Sequence, residues 1–165
     1  MEQLKLRIYP DPCLGKKAKE VEIFDKRLLS IVEAMSELMY INNGIGLAAP
    51  QVGLSARIIT VDVGKGLEVM VNPSIVSRSE KSDTMDEGCL SLPGLAIKIA
   101  RPTIVEVEGR DVCGNLIIKK CEGLLAKCIQ HEIDHLEGKL LLDYLNPFQR
   151  VFAVNKKRSS QNKKL

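Results

Sequence analysis

The pentapeptide His131-Glu132-Ile133-Asp134-His135 constrains this chain more than any other stretch, because it pairs two histidines four residues apart. On an α-helix such side chains lie on the same face, so both imidazoles can bind one metal ion. Glu132 is then placed to take a proton from water that the metal activates. A chance pattern on a surface helix is the alternative, but the chain has only two histidines and both lie here. The pattern predicts a helix that carries a catalytic metal site.

The composition predicts a globular protein rather than a membrane-spanning, disordered or disulfide-rich one. Hydrophobic residues make up 45% and charged residues 27% of the 165 residues, as in ordinary globular domains. No apolar stretch approaches the roughly 20 residues of a membrane helix, and the N-terminus lacks the apolar core of a signal peptide. The cysteines show no paired spacing, so we expect reduced thiols. We expect a cytoplasmic protein with one catalytic domain over residues 1–165 and no membrane or DNA partner.

The positive charge is concentrated at the C-terminus. The chain has a net charge of +3, and six basic residues but no acidic residue follow Leu145. They are Arg150, Lys156, Lys157, Arg158, Lys163 and Lys164. We predict that residues 156–165 form a basic flexible tail. Such a tail is either a solvated, frayed terminus or a segment attracted to a polyanion such as ribosomal RNA, which would bring a ribosome contact.

The spacing of apolar residues predicts an α+β fold with antiparallel β-sheet. A helix should begin after Asp25 and end at the Asn42-Asn43-Gly44 turn. The predicted strands are residues 57–63 and 67–71 as one hairpin, residues 73–78, and residues 103–108 and 115–120 as another hairpin. Residues 79–86 are predicted to be a polar loop. A helix over residues 124–137 and a C-terminal helix from Pro147 follow the strands. Most of the predicted strands therefore lie between the first helix and these two, an order typical of α+β folds.

Residues 44–53 are unusually rich in glycine and alanine. Small residues let a backbone approach another group closely, which favours a strand edge or loop that lines a cleft. A plain tight connection is the alternative.

A catalytic metal usually keeps three protein ligands, so the two histidines need a third partner. No other histidine exists and nothing acidic follows Asp143, which excludes the downstream ligands of metzincins and of thermolysin-like peptidases. Cys128 lies roughly 10 Å along the helix axis from His135, so it is better explained as a core thiol. The strong candidate is Cys89, which follows Gly88 in a loop that can bend toward the helix. We expect the other three cysteines to be structural.

Three stretches together resemble the motifs of the bacterial peptide deformylases, the polypeptide deformylase family. They are residues 44–51 (GIGLAAPQ), 87–91 (EGCLS) and 130–138 (QHEIDHLEG), in this order. The resemblance implies an α+β fold in which antiparallel β-sheets surround a central helix that carries the HExxH motif. It also implies a metal-dependent hydrolase that removes the formyl group from the N-terminal formyl-methionine of nascent polypeptides and releases formate.

Carried over residue by residue, the resemblance implies that Cys89, His131 and His135 bind the metal. Glu132 is implied as the general base, and Gln51 and the backbone N–H of Leu90 as donors to the formyl oxygen. The implied substrate-binding residues, each of which could equally be core, are Ile45, Gly46, Met85, Gly88, Leu124 and Cys128. Ligand softness alone suggests Zn²⁺. The resemblance implies Fe²⁺ as the physiological ion, with Zn²⁺, Ni²⁺ or Co²⁺ as replacements, and hence sensitivity to oxygen.

Two positions depart from the pattern of the resembling family. Lys127 stands where many relatives have an apolar residue, so it either extends outward or alters the side-chain preference of the pocket. Ala96 stands where some relatives carry an arginine that helps to hold the peptide. These departures concern peptide preference and leave the implied catalytic residues complete.

Two rival functions remain possible from the residues. One is an endopeptidase that uses the same HExxH helix. The absence of a downstream third metal ligand counts against this function. The other is a non-catalytic binding module in which a closed metal site only stabilises the fold, which a fourth protein ligand would favour.

Overall fold

The helices and strands follow the chain as one helix, seven strands and two further helices within the residues that the structure describes. The structure, a computed structural model, describes residues 4–162, with side chains as far as Asn155. The elements are α1 (Lys26–Ile41), β1 (Gly46–Ala48), β2 (Ile58–Val61), β3 (Glu68–Arg78), β4 (Ser82–Gly88), β5 (Ala96–Pro102), β6 (Ile104–Arg110), β7 (Leu116–Glu122), α2 (Gly123–Leu136) and α3 (Pro147–Asn162).

Helix α1 forms where the periodicity predicts it. The Asp25 carboxylate accepts hydrogen bonds from the backbone N–H groups of Arg27 and Leu28, which caps the first turn. Buried side chains recur three or four residues apart along one face: Leu28, Val32, Met35 and Met39. This face packs against β1 and β2 through a cluster that includes Leu47 and Ile58.

Two antiparallel sheets form the strand layer. The larger sheet has the order β1-β2-β3-β6-β7, and the smaller pairs β4 with β5. The two predicted hairpins are β2–β3 and β6–β7. Residues 73–78, predicted as a separate strand, continue β3, which shifts register between Val71 and Ser74 where it pairs with β6.

The predicted polar loop at residues 79–86 is wrong, because most of it belongs to β4, and β5 was not predicted at all. Strand β4 is exposed at most positions and buries only Glu87. Its polarity therefore reflects a two-stranded sheet with little apolar cover rather than a loop. The predicted α+β fold with antiparallel sheets is nevertheless confirmed.

Helix α2 lies at the centre of the fold. It packs against β1, β2, β3, β6 and β7 of the larger sheet and against β5 of the smaller one. Ala126, Ile129, Ile133 and Leu136 join the main core cluster. Gly138 has a φ of 73°, a left-handed conformation that glycine adopts readily, just after the helix ends. The predicted central motif-bearing helix is thus confirmed, and its polar face is left free for a site.

The C-terminal helix α3 begins at Pro147, as predicted, and its backbone is helical to Asn162. Residues 163–165 and the side chains from residue 156 onward lie outside the described residues. The flexible basic tail therefore stays a prediction, as does a single domain over residues 1–165. All five cysteines are free. Within residues 4–162 no helix combines the length and apolar character that crossing a membrane requires.

We expect Ile129→Ala to lower the free energy of unfolding by about 2–5 kcal/mol, because it leaves a cavity in the main core. Ile129 is only 1% exposed. It lies on the face of α2 opposite His131, since two residues correspond to roughly 200° of rotation around a helix. Urea unfolding measures the effect.

Ile118→Ala is the matched control, because Ile118 lies on β7 and is 58% exposed. Its unfolding free energy should change by less than about 0.5 kcal/mol. Equal losses in the two variants would contradict the placement of Ile129 in the core.

Candidate active site

A cysteine and two histidines converge on the polar face of α2. The Sγ atom of Cys89 lies 3.2 Å from Nε2 of His135, which in turn lies 3.2 Å from Nε2 of His131. The candidate ligand atoms of all three residues lie within 4.8 Å of one another. One thiolate and two imidazoles are the donors that Zn²⁺, Fe²⁺ and similar ions accept. The cluster could therefore hold one metal ion.

Two separate elements build this cluster. Helix α2 places His131 and His135 on one face, as their spacing predicts. Cys89 directly follows β4 and opens a turn in which its carbonyl accepts a hydrogen bond from Leu92 N–H. His135 is 1% exposed, and burial lowers its pKa. The ring is therefore neutral, as a metal ligand must be.

Glu87 orients the ring of His131. Its Oε2 atom lies 3.0 Å from Nδ1 of His131. Burial alone would raise the pKa of Glu87, but the hydrogen bonds from His131 and Arg101 outweigh it and lower the pKa. Because the ionised carboxylate can only accept, Nδ1 of His131 carries a hydrogen, which leaves Nε2 as the atom that would bind a metal ion.

Arg101 on β5 holds Glu87 in place. Its guanidinium donates from Nε and Nη2 to both carboxylate oxygens, and both side chains are almost fully buried. Nη1 also donates to Asp134 at 2.9 Å and to the Tyr144 hydroxyl at 3.2 Å. Asp134 thus pairs with Arg101. No feature of the sequence pointed to Arg101, since β5 was not predicted.

Glu132 is buried beside the cluster with one oxygen unpaired. It is 3% exposed, and its Oε2 has no hydrogen-bond partner among the described residues. Burial raises the pKa of Glu132 to about 7. A carboxyl group with such a pKa can both take up and release a proton near neutral pH.

Gly46 on β1 makes the space that Glu132 occupies. A Cβ atom at this position would overlap the Glu132 carboxylate and lie 2.8 Å from Sγ of Cys128. Any other residue here would therefore displace the Glu132 carboxylate. Cys128 is buried and also donates from Sγ to the carbonyl of Ile45 at 3.4 Å. It serves as core and as cleft wall at once.

Gln51 and Leu90 bring donors to the same place. Oε1 of Gln51 accepts a hydrogen bond from Ala48 N–H at 2.8 Å, which fixes the amide so that Nε2 lies 3.4 Å from Sγ of Cys89. The same Nε2 lies 3.3 Å from Oγ of Ser91. Leu90 follows Cys89 directly, and its N–H has no backbone acceptor among residues 4–162. The Leu90 N–H is available to a ligand oxygen, and the Gln51 amide, which donates to Cys89 and Ser91, lies beside the same cysteine.

One cleft of about 840 Å³ collects these groups. Its wall includes every predicted catalytic residue, together with Cys89 and His131, while His135 lies behind the wall. The lining also contains every predicted substrate-binding residue: Ile45, Gly46, Met85, Gly88, Leu124 and Cys128. Lys127 and Ala96 line it too. The structure thus brings the predicted site residues together, while their individual roles stay predictions.

The sequence model of the polypeptide deformylase family matches residues 3–151. The chain belongs to this family. It is similar to peptide deformylase 1 of Ralstonia nicotianae, with 45% identity over 153 residues, 91% of this chain and 90% of that relative. It is similar also to the peptide deformylase of Caldicellulosiruptor bescii, with 43% identity over 159 residues, 96% of this chain and 95% of that relative.

Solved peptide deformylase structures share the fold. The enzyme of Legionella pneumophila is 41% identical with a TM-score of 0.92, covering 98% of this chain and 96% of that one. The enzyme of Ehrlichia chaffeensis, solved in complex with actinonin, is 40% identical with a TM-score of 0.92, covering 97% and 98%. The family is metal-dependent, and the cluster of Cys89, His131 and His135 is the candidate metal site of this deformylase.

We expect Glu87→Gln to weaken metal binding about 10- to 100-fold, because an amide holds the His131 ring less firmly than a carboxylate does. Competition with a chelator of known affinity measures the change in dissociation constant. Thermal unfolding in parallel reports any loss of stability, because the buried charge of Arg101 loses its Glu87 counter-charge.

Glu108→Gln is the control, since Glu108 is exposed on β6. It should leave metal affinity unchanged. A Glu87→Gln protein that binds metal as tightly as the wild type would show that Glu87 does not position His131.

Proposed function

We propose that the cleft hydrolyses the formamide bond of N-terminal formyl-methionine on nascent polypeptides and releases formate. The observation that carries this proposal is the buried carboxylate of Glu132 beside the Cys89, His131 and His135 cluster. Membership of the polypeptide deformylase family supports it. We place the activity in the cytoplasm, as the sequence predicts.

The residues present fit a divalent metal ion. The donor atoms of Cys89, His131 and His135 lie close enough to share one ion. Glu132, the residue after His131, has a buried oxygen without a hydrogen-bond partner among the described residues. When bound, such an ion supplies a Lewis acid for the formyl oxygen and lowers the pKa of water. The chain holds the three ligands in one geometry, and Glu87 contributes by its hydrogen bond to the His131 ring.

Glu132 acts as the general base. It takes the proton of the attacking water and then passes it to the leaving amine, so that the amine departs neutral. Because its carboxylate is buried, solvent does not compete for this proton.

Gln51 and Leu90 stabilise the oxygen of the formyl group. Attack by water turns the formyl carbonyl into a tetrahedral anion, which needs hydrogen-bond donors aimed at its oxygen. The Nε2 group of Gln51 and the backbone N–H of Leu90 supply them beside Cys89. Each donor contributes roughly 3 kcal/mol to lowering the barrier.

The peptide binds as an added strand. β1 lies at the edge of the larger sheet, where backbone groups are open to a partner, so the substrate extends along Ile45 and Gly46. The methionine side chain enters the apolar part of the cleft, between Met85, Leu124 and Cys128. Backbone recognition leaves the following residues of the substrate largely free to vary.

The rival functions lack a supporting observation. Among the described residues, three donors and no fourth form the metal cluster, whereas a purely structural site is normally closed by four. No downstream ligand of the peptidase type joins His131 and His135.

Fe²⁺ is the ion that we propose for the resident metal, with Zn²⁺, Ni²⁺ or Co²⁺ as replacements that the same donor set accepts. Contact between the basic C-terminal segment and the ribosome stays a prediction, because the side chains of residues 156–165 lie outside the described residues.

We expect Glu132→Gln to lower kcat/KM for formate release from formyl-Met-Ala-Ser by about 10²- to 10⁴-fold, because it removes the general base. Metal content should stay at the wild-type level, since Glu132 is not a ligand. Glu37→Gln, at an exposed position of α1, is the control and should retain full activity. Wild-type turnover by Glu132→Gln would refute the assigned base, and cleavage of unformylated casein would instead support a peptidase.

Chelation should abolish formate release, and adding Fe²⁺ back without oxygen should restore it. We expect the Fe²⁺ form to lose activity in air, because redox-active iron beside the Cys89 thiolate promotes oxidation of both, while the Ni²⁺ form stays active. Half-lives of the two forms under air and under argon measure this. Equal half-lives of the Fe²⁺ form in both atmospheres would contradict it.

A further inference from the structure

A buried lysine lines the cleft where the first side chain of the substrate is proposed to bind. Lys127 is only 7% exposed, although lysine is among the residues least often buried. It lies three residues after Leu124 and four before His131, so it shares their face of α2. All three residues line the cleft. Lys127 is therefore part of the pocket wall.

The Lys127 ammonium group is anchored from β4. Its Nζ donates to Oδ2 of Asp83 at 2.8 Å and lies 3.9 Å from Sδ of Met85. The Asp83 side chain is 62% exposed, whereas that of Lys127 is 9% exposed. The hydrogen bond from Lys127 lowers the pKa of Asp83, so the anchor is a carboxylate. The Lys127 ammonium group is therefore buried in the cleft wall, whereas the Asp83 carboxylate that pairs with it is exposed to solvent.

The ammonium group retains a donor for a ligand. An ammonium carries three N–H donors, and a thioether sulfur is only a weak acceptor. Asp83 and Met85 are the two acceptors found for Nζ among the described residues. At least one N–H of Lys127 is therefore left without an acceptor. It lies beside the thioether of Met85, the same chemical group that ends a methionine side chain of the substrate.

We propose that Lys127 is a specificity-determining residue whose ammonium donates to the end of the first side chain, so that the enzyme also accepts N-formyl peptides that begin with methionine sulfoxide. The inference rests on the proposed deformylase function. A sulfoxide oxygen that enters a wholly apolar pocket loses its hydrogen bonds to water without replacement, which is unfavourable. The charged donor of Lys127 replaces them.

Three side chains of similar length test the inference: norleucine without an acceptor, methionine with a weak one and methionine sulfoxide with a strong one. The assay is kcat/KM for formate release from formyl-Nle-Ala-Ser, formyl-Met-Ala-Ser and each sulfoxide epimer of the latter. Wild-type protein and Lys127→Met, loaded with the same metal, are compared. Lys127→Met keeps the apolar stem and removes the donor.

We expect the sulfoxide-to-norleucine ratio of kcat/KM to fall about tenfold in Lys127→Met for at least one epimer, the effect of losing one hydrogen bond to a charged group. Lys127→Arg, which keeps a charged donor, should retain more of the ratio than Lys127→Met does. Lys120→Met is the matched control, because it removes an exposed lysine that pairs with Glu122 on β7, away from the cleft. Its ratio should equal that of the wild type.

The outcomes separate this inference from the proposed function. An unchanged ratio in a Lys127→Met protein that still hydrolyses formyl-Met-Ala-Ser overturns the inference alone. Failure of the wild type to release formate from formyl-Met-Ala-Ser overturns the proposed function. If Lys127→Met does not fold, Asp83→Asn takes its place, because losing the exposed anchor releases the ammonium from the wall. An unchanged ratio in Asp83→Asn then overturns the inference.

Discussion

The contact between Glu87 and His131 is the one on which the site depends. It joins the end of β4, in the two-stranded sheet, to the central helix, and Arg101 on β5 holds it in place. Without a carboxylate at this point, the His131 ring could rotate or change tautomer, and Nε2 would no longer be held beside Cys89 and His135. The buried charge of Glu87 is tolerable because Arg101 compensates it fully. The geometry of the metal cluster is therefore decided by two residues outside it.

The fold divides the tasks between its parts. Helix α2 is rigid because the larger sheet covers its apolar face, and this places Glu132, His131 and His135 within one stretch of backbone. Cys89 and Leu90 come from a turn, and Gln51 from a short 3₁₀ segment over Ala49–Val52. The helix and the two irregular segments each supply different side chains of the site. The cleft therefore forms only when α2, the turn at Cys89 and the 3₁₀ segment pack together.

Sequence alone predicted the parts of the fold that depend on local periodicity. Helix α1, the HExxH helix and two hairpins follow from apolar spacing and turn residues. It failed at β4, whose polar residues resemble a loop because the strand has little apolar cover. Cys89 could be chosen by counting ligands, and Gln51 by family motifs. Arg101 could not be chosen, since its role comes from pairing between β4 and β5 and from a contact to Asp134 across the fold.

Gly46 shows that the proposed general base, Glu132, depends on an atom that residue 46 lacks. The Glu132 carboxylate fills the volume that a Cβ on β1 would require. The two positions are thus sterically coupled, although they lie in different elements. For protein engineering, this limits where the cleft can be reshaped. A side chain at residue 46 would displace Glu132, whereas the helix wall at Leu124, which is 42% exposed, offers room for new side chains.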